Sequence, residues 1–345
     1  MRPRRVLVTG VSRFLGGRLV NELSADPDVE TIVGVDTVEP RTDLGRTEFV
    51  RSDIRSPSIA KIIAASEVDT VVHLSVVATP LTVGGRTAMK EINVIGTMQL
   101  LAACQKSPSV RKLVLKSTTA VYGSSPKDPA LFTEDDEPRR LPRSGYAKDS
   151  VEVEGYVRGF GRRRPDVALT MLRFTNFVGP RIDTPLTRYF SLPVVPKVFG
   201  YDPRLQFCHE DDGVEVLRLA TLQDRPGIFN VGGAGVLLSQ AIRRAGRVSF
   251  PVLEPLVSVA GQGFRRAGLV DFSPEQLRFL EHGRVADTTR LDEKFGYTPR
   301  YTTREAFDDF VRGRGLNRVI NPEVATAVEA AILERLPRRN EPIHA

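Results

Sequence analysis

The sequence predicts an α/β fold in which a doubly wound parallel sheet carries a smaller C-terminal lobe. Strand-like and helix-like segments alternate through about residue 180, and this alternation is typical of parallel strands joined by crossover helices. The strand expected at 69–75 contains consecutive valines, which favours burial on both faces in the middle of the sheet. After Gly179-Pro180 the alternation weakens, so a separate lobe is expected there.

The individual elements follow from the spacing of apolar residues. Leu15, Leu19 and Leu23 recur every four residues and predict the first helix, directly after a strand at 6–8. A long helix is expected over 86–106, with Ile92, Ile95, Met98 or Gln99, and Ala102 along one side. The further strands are expected at 31–36, 48–54, 69–75, 112–118, 167–174 and 227–233.

Three segments are expected along the chain. Residues 1–180 make up a Rossmann-type sheet domain, and residues 181–313 make up most of a lobe above the carboxyl ends of the strands, where open α/β sheets bind their ligands. The strand near 227–233 is expected to return from that lobe. Residues 314–345 are expected to form a helical tail, with Asn321-Pro322 as a helix entry.

The composition is that of an ordinary globular chain. Of 345 residues, 41% are hydrophobic and 26% are charged, and the formal net charge is +7. Acidic and basic residues are interspersed, which argues against a nucleic-acid interface. No segment predicts a membrane span, and the basic N-terminus precedes an apolar run too short for a signal peptide. Cys104 and Cys208 lack metal-ligand spacing, so we expect a cytoplasmic protein without a disulfide or a metal site.

The segment 6–17 predicts a ligand-binding turn. An apolar strand ends at Gly10 and helical spacing begins at once, so the amino terminus of a helix faces the turn. Gly10 permits the tight turn, Gly16 allows helix and strand to pack closely, and the first N–H groups of the helix attract a pyrophosphate. Asp36 ends the next strand at the distance where an acid accepts hydrogen bonds from an adenosine ribose. These features predict a bound dinucleotide.

Position 13 departs from the dinucleotide-binding pattern, because Arg13 stands where a middle glycine is expected. Its side chain leaves less room for phosphates, but its guanidinium group can bind them directly. The alternative is a solvated arginine above a looser or empty site. Asp36 favours NAD over NADP because it repels a 2′-phosphate, whereas the positive charge of Arg13 modestly favours NADP.

Several motifs follow one another in order through about residue 313. They are Thr9-Gly10 with Phe14-Leu15-Gly16, Asp36, Asp53-Ile54, His73-Leu74-Ser75, Asn93 to Thr97, Ser117 to Gly123, Tyr146, Arg173 to Pro180 and Phe295 to Pro299. In this order they resemble the NAD-dependent epimerase/dehydratase branch of the extended short-chain dehydrogenase/reductase superfamily, which includes UDP-glucose 4-epimerases and nucleotide-sugar dehydratases. The resemblance implies NAD as cofactor and a small-molecule substrate, such as a nucleotide-sugar.

The resemblance also implies roles for individual residues. Thr118 matches the catalytic Ser/Thr that hydrogen-bonds the reacting sugar oxygen, Tyr146 matches the catalytic base, and Asn176 matches a position that commonly touches substrate. Relatives often dimerise through the helices after the fourth and fifth strands, and Val151, Tyr156 and Phe160 suit such a homodimer contact. The expected cofactor-binding residues are Gly10, Ser12, Arg13, Phe14, Leu15, Gly16, Asp36, Asp53, Ile54, Leu74, Ser75, Val76, Asn93, Ser150 and Thr175.

The main departure from the family lies four residues after Tyr146, where Ser150 replaces the lysine of the Tyr-x-x-x-Lys motif. A phenol has a pKa near 10, so only about 0.1% is ionised at neutral pH without a nearby cation. Lys148 leaves the helix in the wrong direction. Lys116 shares a strand face with Thr118, and we hypothesise that it partly replaces the missing cation. The alternative is a lysine that merely covers the edge of the strand.

A second departure concerns the substrate. In nucleotide-sugar enzymes an arginine that grips the diphosphate precedes the motif matched by 206–212, and Leu205 occupies its place. Arg204 is adjacent and is the remaining candidate for substrate binding. In an extended segment, however, its side chain would point to the face opposite to that of residue 205. His209 is interpreted as a structural hydrogen-bonding residue rather than an acid or base.

Three functions are compatible with these observations. The first is an enzyme that uses NAD to oxidise a sugar hydroxyl transiently, as an epimerase or dehydratase does. The second is an NAD-binding sensor or scaffold without catalysis, which Ser150, Arg13 and Leu205 together favour. The third is an NAD(P)-dependent reductase of a non-nucleotide substrate, because a fold alone does not determine its chemistry.

Overall fold

A computed structural model describes residues 5–79, 83–138, 142, 145–252 and 274–316 of the chain. Its strands are β1 (Arg5–Thr9), β2 (Thr31–Asp36), β3 (Glu48–Arg51), β4 (Thr70–His73), β5 (Lys112–Thr118), β6 (Ala168–Phe174), β7 (Asn176–Val178), β8 (Val194–Val198), β9 (Arg204–Leu205), β10 (Phe207–His209), β11 (Gly227–Val231), β12 (Val236–Leu237) and β13 (Val248–Val252). Seven strands form one parallel sheet in the order β3-β2-β1-β4-β5-β6-β11. This sheet confirms the predicted α/β class.

Helices cover both faces of the sheet. The helical segments are α1 (Phe14–Ser24), α2 (Ser58–Ala65), α3 (Arg86–Lys90), a π-helix (Glu91–Gly96), α4 (Thr97–Lys106), a 3₁₀-helix (Thr119–Tyr122), α5 (Gly145–Arg163), α6 (Pro185–Ser191), α7 (Glu210–Leu222), α8 (Leu238–Arg244), α9 (Pro274–His282), α10 (Thr289–Glu293) and α11 (Thr303–Gly313). Helices α1 and α7 pack on one face, and α2, α4 and α5 pack on the other. Of the helices in the described ranges, none has the length and apolar character needed to cross a membrane.

The strand register collects the carboxyl ends of the strands at one edge. Thr9 of β1 lies beside His73 of β4, and Thr118 of β5 lies beside Phe174 of β6. Strands β3 and β4 end earlier than the sequence predicts, because the residues that follow them leave the sheet and line this edge. The motifs found in the sequence are therefore brought together there.

The long helix expected over 86–106 forms as α3, the π-helix and α4 in direct succession. The side of this helix that carries Ile95, Met98 and Ala102 is exposed, whereas Asn93 and Val94 are buried. The π-helical segment takes more residues per turn than a regular α-helix. It therefore rotates the residues around it away from the faces that regular spacing predicts.

The C-terminal lobe has its own small strand pairs and apolar core. Strand β7 pairs with β10, β9 with β12 and β8 with β13, and Phe190 packs edge-on against Phe307 with ring centroids 4.8 Å apart. Helix α7 packs on the sheet instead, and strand β11 pairs with β6 within it. His209 caps α7 by accepting the Asp211 N–H at 3.2 Å. The predicted helical tail lies outside the described residues from residue 317 onward.

Candidate active site

Gly10 and Gly16, in the turn between β1 and α1 and at the start of α1, lie where a side chain has no space. Gly10 has a φ of 82°, a conformation that favours glycine, and a Cβ on it would lie 3.2 Å from the Leu74 carbonyl carbon and the Ser75 nitrogen. A Cβ on Gly16 would lie 2.2 Å from the Gly10 oxygen. The chain thus keeps a backbone cradle at the carboxyl edge of the sheet that glycine alone permits.

Asp36 is held at the end of β2 beside this turn. Its carboxylate accepts the Ser12 N–H at 3.1 Å and the Thr37 N–H at 2.7 Å. The Ser12 hydroxyl donates to the Val38 carbonyl. These bonds orient the carboxylate and leave lone pairs that can accept ribose hydroxyls.

Arg13 stands at the mouth of the turn, and the next two residues anchor α1. Arg13 is extended and its side chain does not cap the helix. The side chain is exposed, yet desolvation by the surrounding protein lowers its pKa. The Phe14 ring lies 5.8 Å from the Arg18 guanidinium and 5.6 Å from that of Arg181, and Leu15 is buried in the core.

Asp53 and Ile54 follow β3, where the resemblance implies cofactor contacts. Asp53 accepts the Arg55 N–H at 2.8 Å and pairs with the Arg55 guanidinium at 2.6 Å. These bonds lower the pKa of Asp53, the side-chain hydrogen bond having the largest effect. Ile54 is buried against Gly96, on which a Cβ would lie 2.6 Å from the Ile54 Cδ1. The glycine of the 93–97 motif therefore makes room for Ile54.

His73 is a buried residue that joins β1, β4 and α4. Its Nδ1 lies 2.8 Å from the Thr9 hydroxyl and its Nε2 lies 2.9 Å from the Thr97 hydroxyl. Burial lowers the pKa of His73 to about 3, so the imidazole is neutral. The Thr9 hydroxyl also accepts the N–H groups of Leu74 and Ser75. His73 thus positions the backbone that packs against the glycine turn.

Asn93 lies in the π-helix that follows α3, where it is buried and hydrogen-bonded. Its amide bonds the N–H and C=O of Val77 at 2.7 and 2.9 Å and donates to the buried Asp149 at 3.2 Å. Asp149 also accepts two bonds of 2.6 Å from Arg86. Asn93 therefore orients the backbone beside the buried Val76. The Arg86–Asp149 pair, which sequence reasoning missed, anchors the start of α5.

Tyr146 lies in the first turn of α5, in hydrogen-bond contact with the Thr118 and Ser150 hydroxyls. Burial raises the pKa of Tyr146 to about 12, although both hydrogen bonds lower it. Ser150 also donates to the Tyr146 carbonyl at 2.9 Å, and the Thr118 hydroxyl accepts the Ala120 N–H at 3.1 Å. The structure therefore brings Thr118 and Tyr146 together and places a hydroxyl where the family motif has an ammonium group.

Arg284 of the C-terminal lobe is the cation whose charge lowers the pKa of Tyr146. Its Nη1 donates to the Gly123 carbonyl at 2.7 Å and to the Ser124 hydroxyl at 3.3 Å. The guanidinium group also lies 5.0 Å from the centre of the Phe279 ring. Sequence reasoning missed Arg284 because only the folded lobe carries it to the segment after Thr118.

The charge of Lys116 interacts with groups other than the Tyr146 phenol. It is half-buried, and burial lowers its pKa to about 8, with a further lowering by the charge of Arg13. Lys116 in turn lowers the pKa of His73. Its role as the replacement cation for Tyr146 stays a prediction.

A buried ion pair lies between the segments that carry Thr118 and Tyr146. The Arg173 Nη2 lies 2.7 Å from the Glu154 carboxylate, and the Ser117 hydroxyl donates to the same carboxylate at 2.6 Å. Ser117 directly precedes Thr118, and Glu154 lies two turns after Tyr146 on α5. The network therefore fixes the strand that carries Thr118 against the helix that carries Tyr146.

The remaining predicted residues lie at the border between sheet and lobe. Thr175 is buried, and within the described ranges its hydroxyl has no hydrogen-bond partner. Asn176 opens β7 and is half-buried. Leu205 is buried in the lobe core whereas Arg204 is exposed, so the substrate-binding role of Arg204 stays a prediction.

This set of groups fits a dinucleotide. The glycine turn has room for a pyrophosphate, and Arg13 and Lys116 supply positive charge. Asp36 supplies an acceptor for ribose hydroxyls. The Thr175 hydroxyl, which has no hydrogen-bond partner within the described ranges, is available to a ligand. Fold and site together define a dinucleotide-binding α/β protein.

Comparison with known families makes this class more specific. Residues 6–232 match the model of the NAD dependent epimerase/dehydratase family. The match covers well over half of the chain, and the protein belongs to this family. Membership agrees with NAD as the predicted cofactor.

Individual relatives span nearly the whole chain. Uncharacterized proteins of Mycobacterium bovis and Mycobacterium tuberculosis are 52% identical over 327 residues, covering 93% of this chain and 86% of theirs. A UDP-glucose 4-epimerase of Mycolicibacterium smegmatis is 27% identical and covers 87% of this chain and 95% of its own. The crystal structure of a Thermotoga maritima UDP-glucose 4-epimerase with UDP-glucose superposes with a TM-score of 0.69 at 22% identity, covering 90% of this chain and 98% of that one. This last likeness supports the fold.

Proposed function

We propose that the protein is an NAD-dependent epimerase/dehydratase-type enzyme that oxidises a substrate hydroxyl by transient hydride transfer. The contact between Thr118 and Tyr146 at the carboxyl edge of the sheet carries this proposal. A nucleotide-sugar or a related hydroxyl compound is the proposed substrate, supported by the relative and the similar structure named as UDP-glucose 4-epimerases.

The chain's own residues supply binding and proton transfer. Bound NAD supplies the hydride acceptor. Asp36 and the glycine turn hold the cofactor, while Thr118 hydrogen-bonds the reacting hydroxyl and keeps it beside Tyr146. Tyr146 takes the hydroxyl proton and returns it when the oxidised substrate is reduced again.

The ionisation of Tyr146 limits this chemistry. With a pKa of about 12, only about one phenol in 100,000 is ionised at pH 7. Arg284 is the lobe cation that acts against this, and the oxidised nicotinamide adds positive charge when bound. We therefore expect turnover at saturating NAD to rise about tenfold per pH unit between pH 7 and 9.

A second function, an NAD-binding sensor or scaffold without turnover, is favoured by the same high pKa and by Ser150. The two functions differ in turnover and agree in cofactor binding. Incubation of the purified protein with UDP-glucose, UDP-galactose and a wider sugar-nucleotide panel separates them, provided that the bound cofactor is assayed in the same samples. Product from one sugar nucleotide, lost in Tyr146→Phe, supports the enzyme. Stoichiometric NAD without product across the panel supports the sensor.

A homodimer is part of the proposal and rests on surface residues of two neighbouring helices. Ile95, Met98 and Tyr156 are exposed apolar or aromatic residues on the helix after β4 and on α5. Phe160, which the sequence suggested for this contact, is buried in the core and is withdrawn from it. Light scattering of the wild type and of Met98→Glu tests the dimer. A monomeric wild type would contradict it.

A further inference from the structure

Lys116 has no counter-ion among the residues that the structure describes. Its ammonium group makes no hydrogen bond or ion pair with any residue in the described ranges, although the side chain is half-buried. It lies near the carboxyl end of β5, two residues before Thr118 and on the same side of the strand. Half-buried cations are normally paired, because desolvation disfavours the charged form.

A second cation lies near the first. Arg13 precedes α1 at the mouth of the glycine turn, and its charge disfavours the protonated form of Lys116. The charge of Asp36 acts on Arg13, but no ion pair joins these two side chains within the described ranges. Two cations whose charges act on each other favour an anion bound between them.

We propose that Arg13 and Lys116 hold the pyrophosphate of NAD from two sides. The glycine expected at position 13 would let the backbone itself approach the phosphates, and Arg13 removes that space. Side-chain cations then take over contacts that the backbone loses. This inference rests on the NAD binding of the proposed function but not on turnover.

The groups around Lys116 predict that it takes up a proton when NAD binds. The titratable groups that act with it are Arg13 from α1 and His73 from β4, and His73 stays neutral because burial lowers its pKa to about 3. The pKa of Lys116 itself is lowered to about 8. A phosphate anion beside it raises that pKa, so the protein gains about half a proton on binding NAD at pH 8.

Isothermal titration calorimetry at pH 8, in two buffers of different ionisation enthalpy, measures affinity and proton uptake together. The wild type is expected to take up about half a proton per NAD. Lys116→Met should bind NAD about tenfold more weakly and without proton uptake. Lys116→Arg should keep the affinity but lose the uptake, because arginine stays charged. Arg13→Gln should also weaken NAD binding about tenfold.

Two controls make the outcome specific. Lys61→Met changes an exposed lysine on α2 and should alter neither quantity. UDP, a nucleoside diphosphate, tests the other source of a diphosphate group, and its affinity should not depend on Lys116.

Unchanged NAD affinity and proton uptake in Lys116→Met would overturn the proposal. A Lys116→Met variant that lost affinity for UDP but not for NAD would also overturn it. A wild type that binds no NAD would overturn it together with the proposed function. Lys116-dependent NAD binding without turnover on any sugar nucleotide would uphold it while the enzymatic function fails.

Discussion

The glycine-turn region and the catalytic region sit on the same sheet edge but differ in how the chain meets their requirements. Around Gly10 and Gly16 the backbone leaves no room for a Cβ, and Asp36 is oriented by backbone N–H groups. Around Tyr146 the motif lysine is replaced by Ser150, and the nearby cation, Arg284, comes from the lobe. Under the proposed function, cofactor binding and activation of Tyr146 as a base are therefore separable properties, and the chain retains the features for the first more completely than those for the second.

The largest effect is expected from the buried pair that supports the catalytic region. Arg173→Ala leaves the Glu154 carboxylate buried without its main partner, which should lower the free energy of unfolding by about 3–5 kcal/mol. Denaturant unfolding measures this. The matched control is Arg158→Ala, which removes a more exposed partner of the same carboxylate and should cost about 1 kcal/mol or less. Equal losses would show that the buried pair does not support this region.

The glycine-turn region is tested by Gly16→Ala. The added methyl would lie 2.2 Å from the Gly10 oxygen, so the turn must open, at a cost of about 1–3 kcal/mol in stability and with at least a tenfold loss of NAD affinity. Gly155→Ala is the control, since a Cβ there meets nothing within 4 Å on α5 and should be neutral or stabilising by up to about 1 kcal/mol. Unchanged NAD binding in Gly16→Ala would show that the turn does not hold the cofactor.

The fold and the glycine-turn region could largely be predicted from the sequence, because the requirements there are local. Gly10, Gly16 and Asp36 all belong to the single strand–helix–strand unit formed by β1, α1 and β2. The partners of Tyr146 could not be predicted, because Arg284 reaches it only through the folded lobe. The burial pattern after residue 90 could not be predicted either, because the π-helix changes which residues share a face of the helix and regular spacing does not show this change.

In the catalytic region, Ser150→Lys should restore the charge that the family motif provides. The ammonium group would lower the pKa of Tyr146 and move the rise of turnover with pH to lower pH, giving at least a tenfold gain at pH 7. The measurement is the pH profile of turnover at saturating NAD. Because Ser150 is buried, circular dichroism and NAD affinity must first show that the variant is folded. A folded variant with an unshifted profile would mean that Tyr146 ionisation does not limit turnover.

The smallest expected effect belongs to Arg284→Gln. Loss of its charge should raise the pKa of Tyr146 and shift the same pH profile to higher pH, with a severalfold decrease of turnover at pH 7. Arg284→Lys keeps the charge and should keep most of the activity. Ser150→Lys in the Arg284→Gln background should restore turnover. If neither Arg284→Lys nor the added Ser150→Lys substitution restored turnover, Arg284 would act only through its bonds to Gly123 and Ser124.

Calorimetric titration of the cofactor-free protein with NAD and with NADP at pH 7 tests most directly whether a dinucleotide lies across this sheet edge. We expect one NAD per chain, bound at least tenfold more tightly than NADP because Asp36 repels the 2′-phosphate. Absence of binding by either dinucleotide, or tighter binding of NADP, would contradict the site described here.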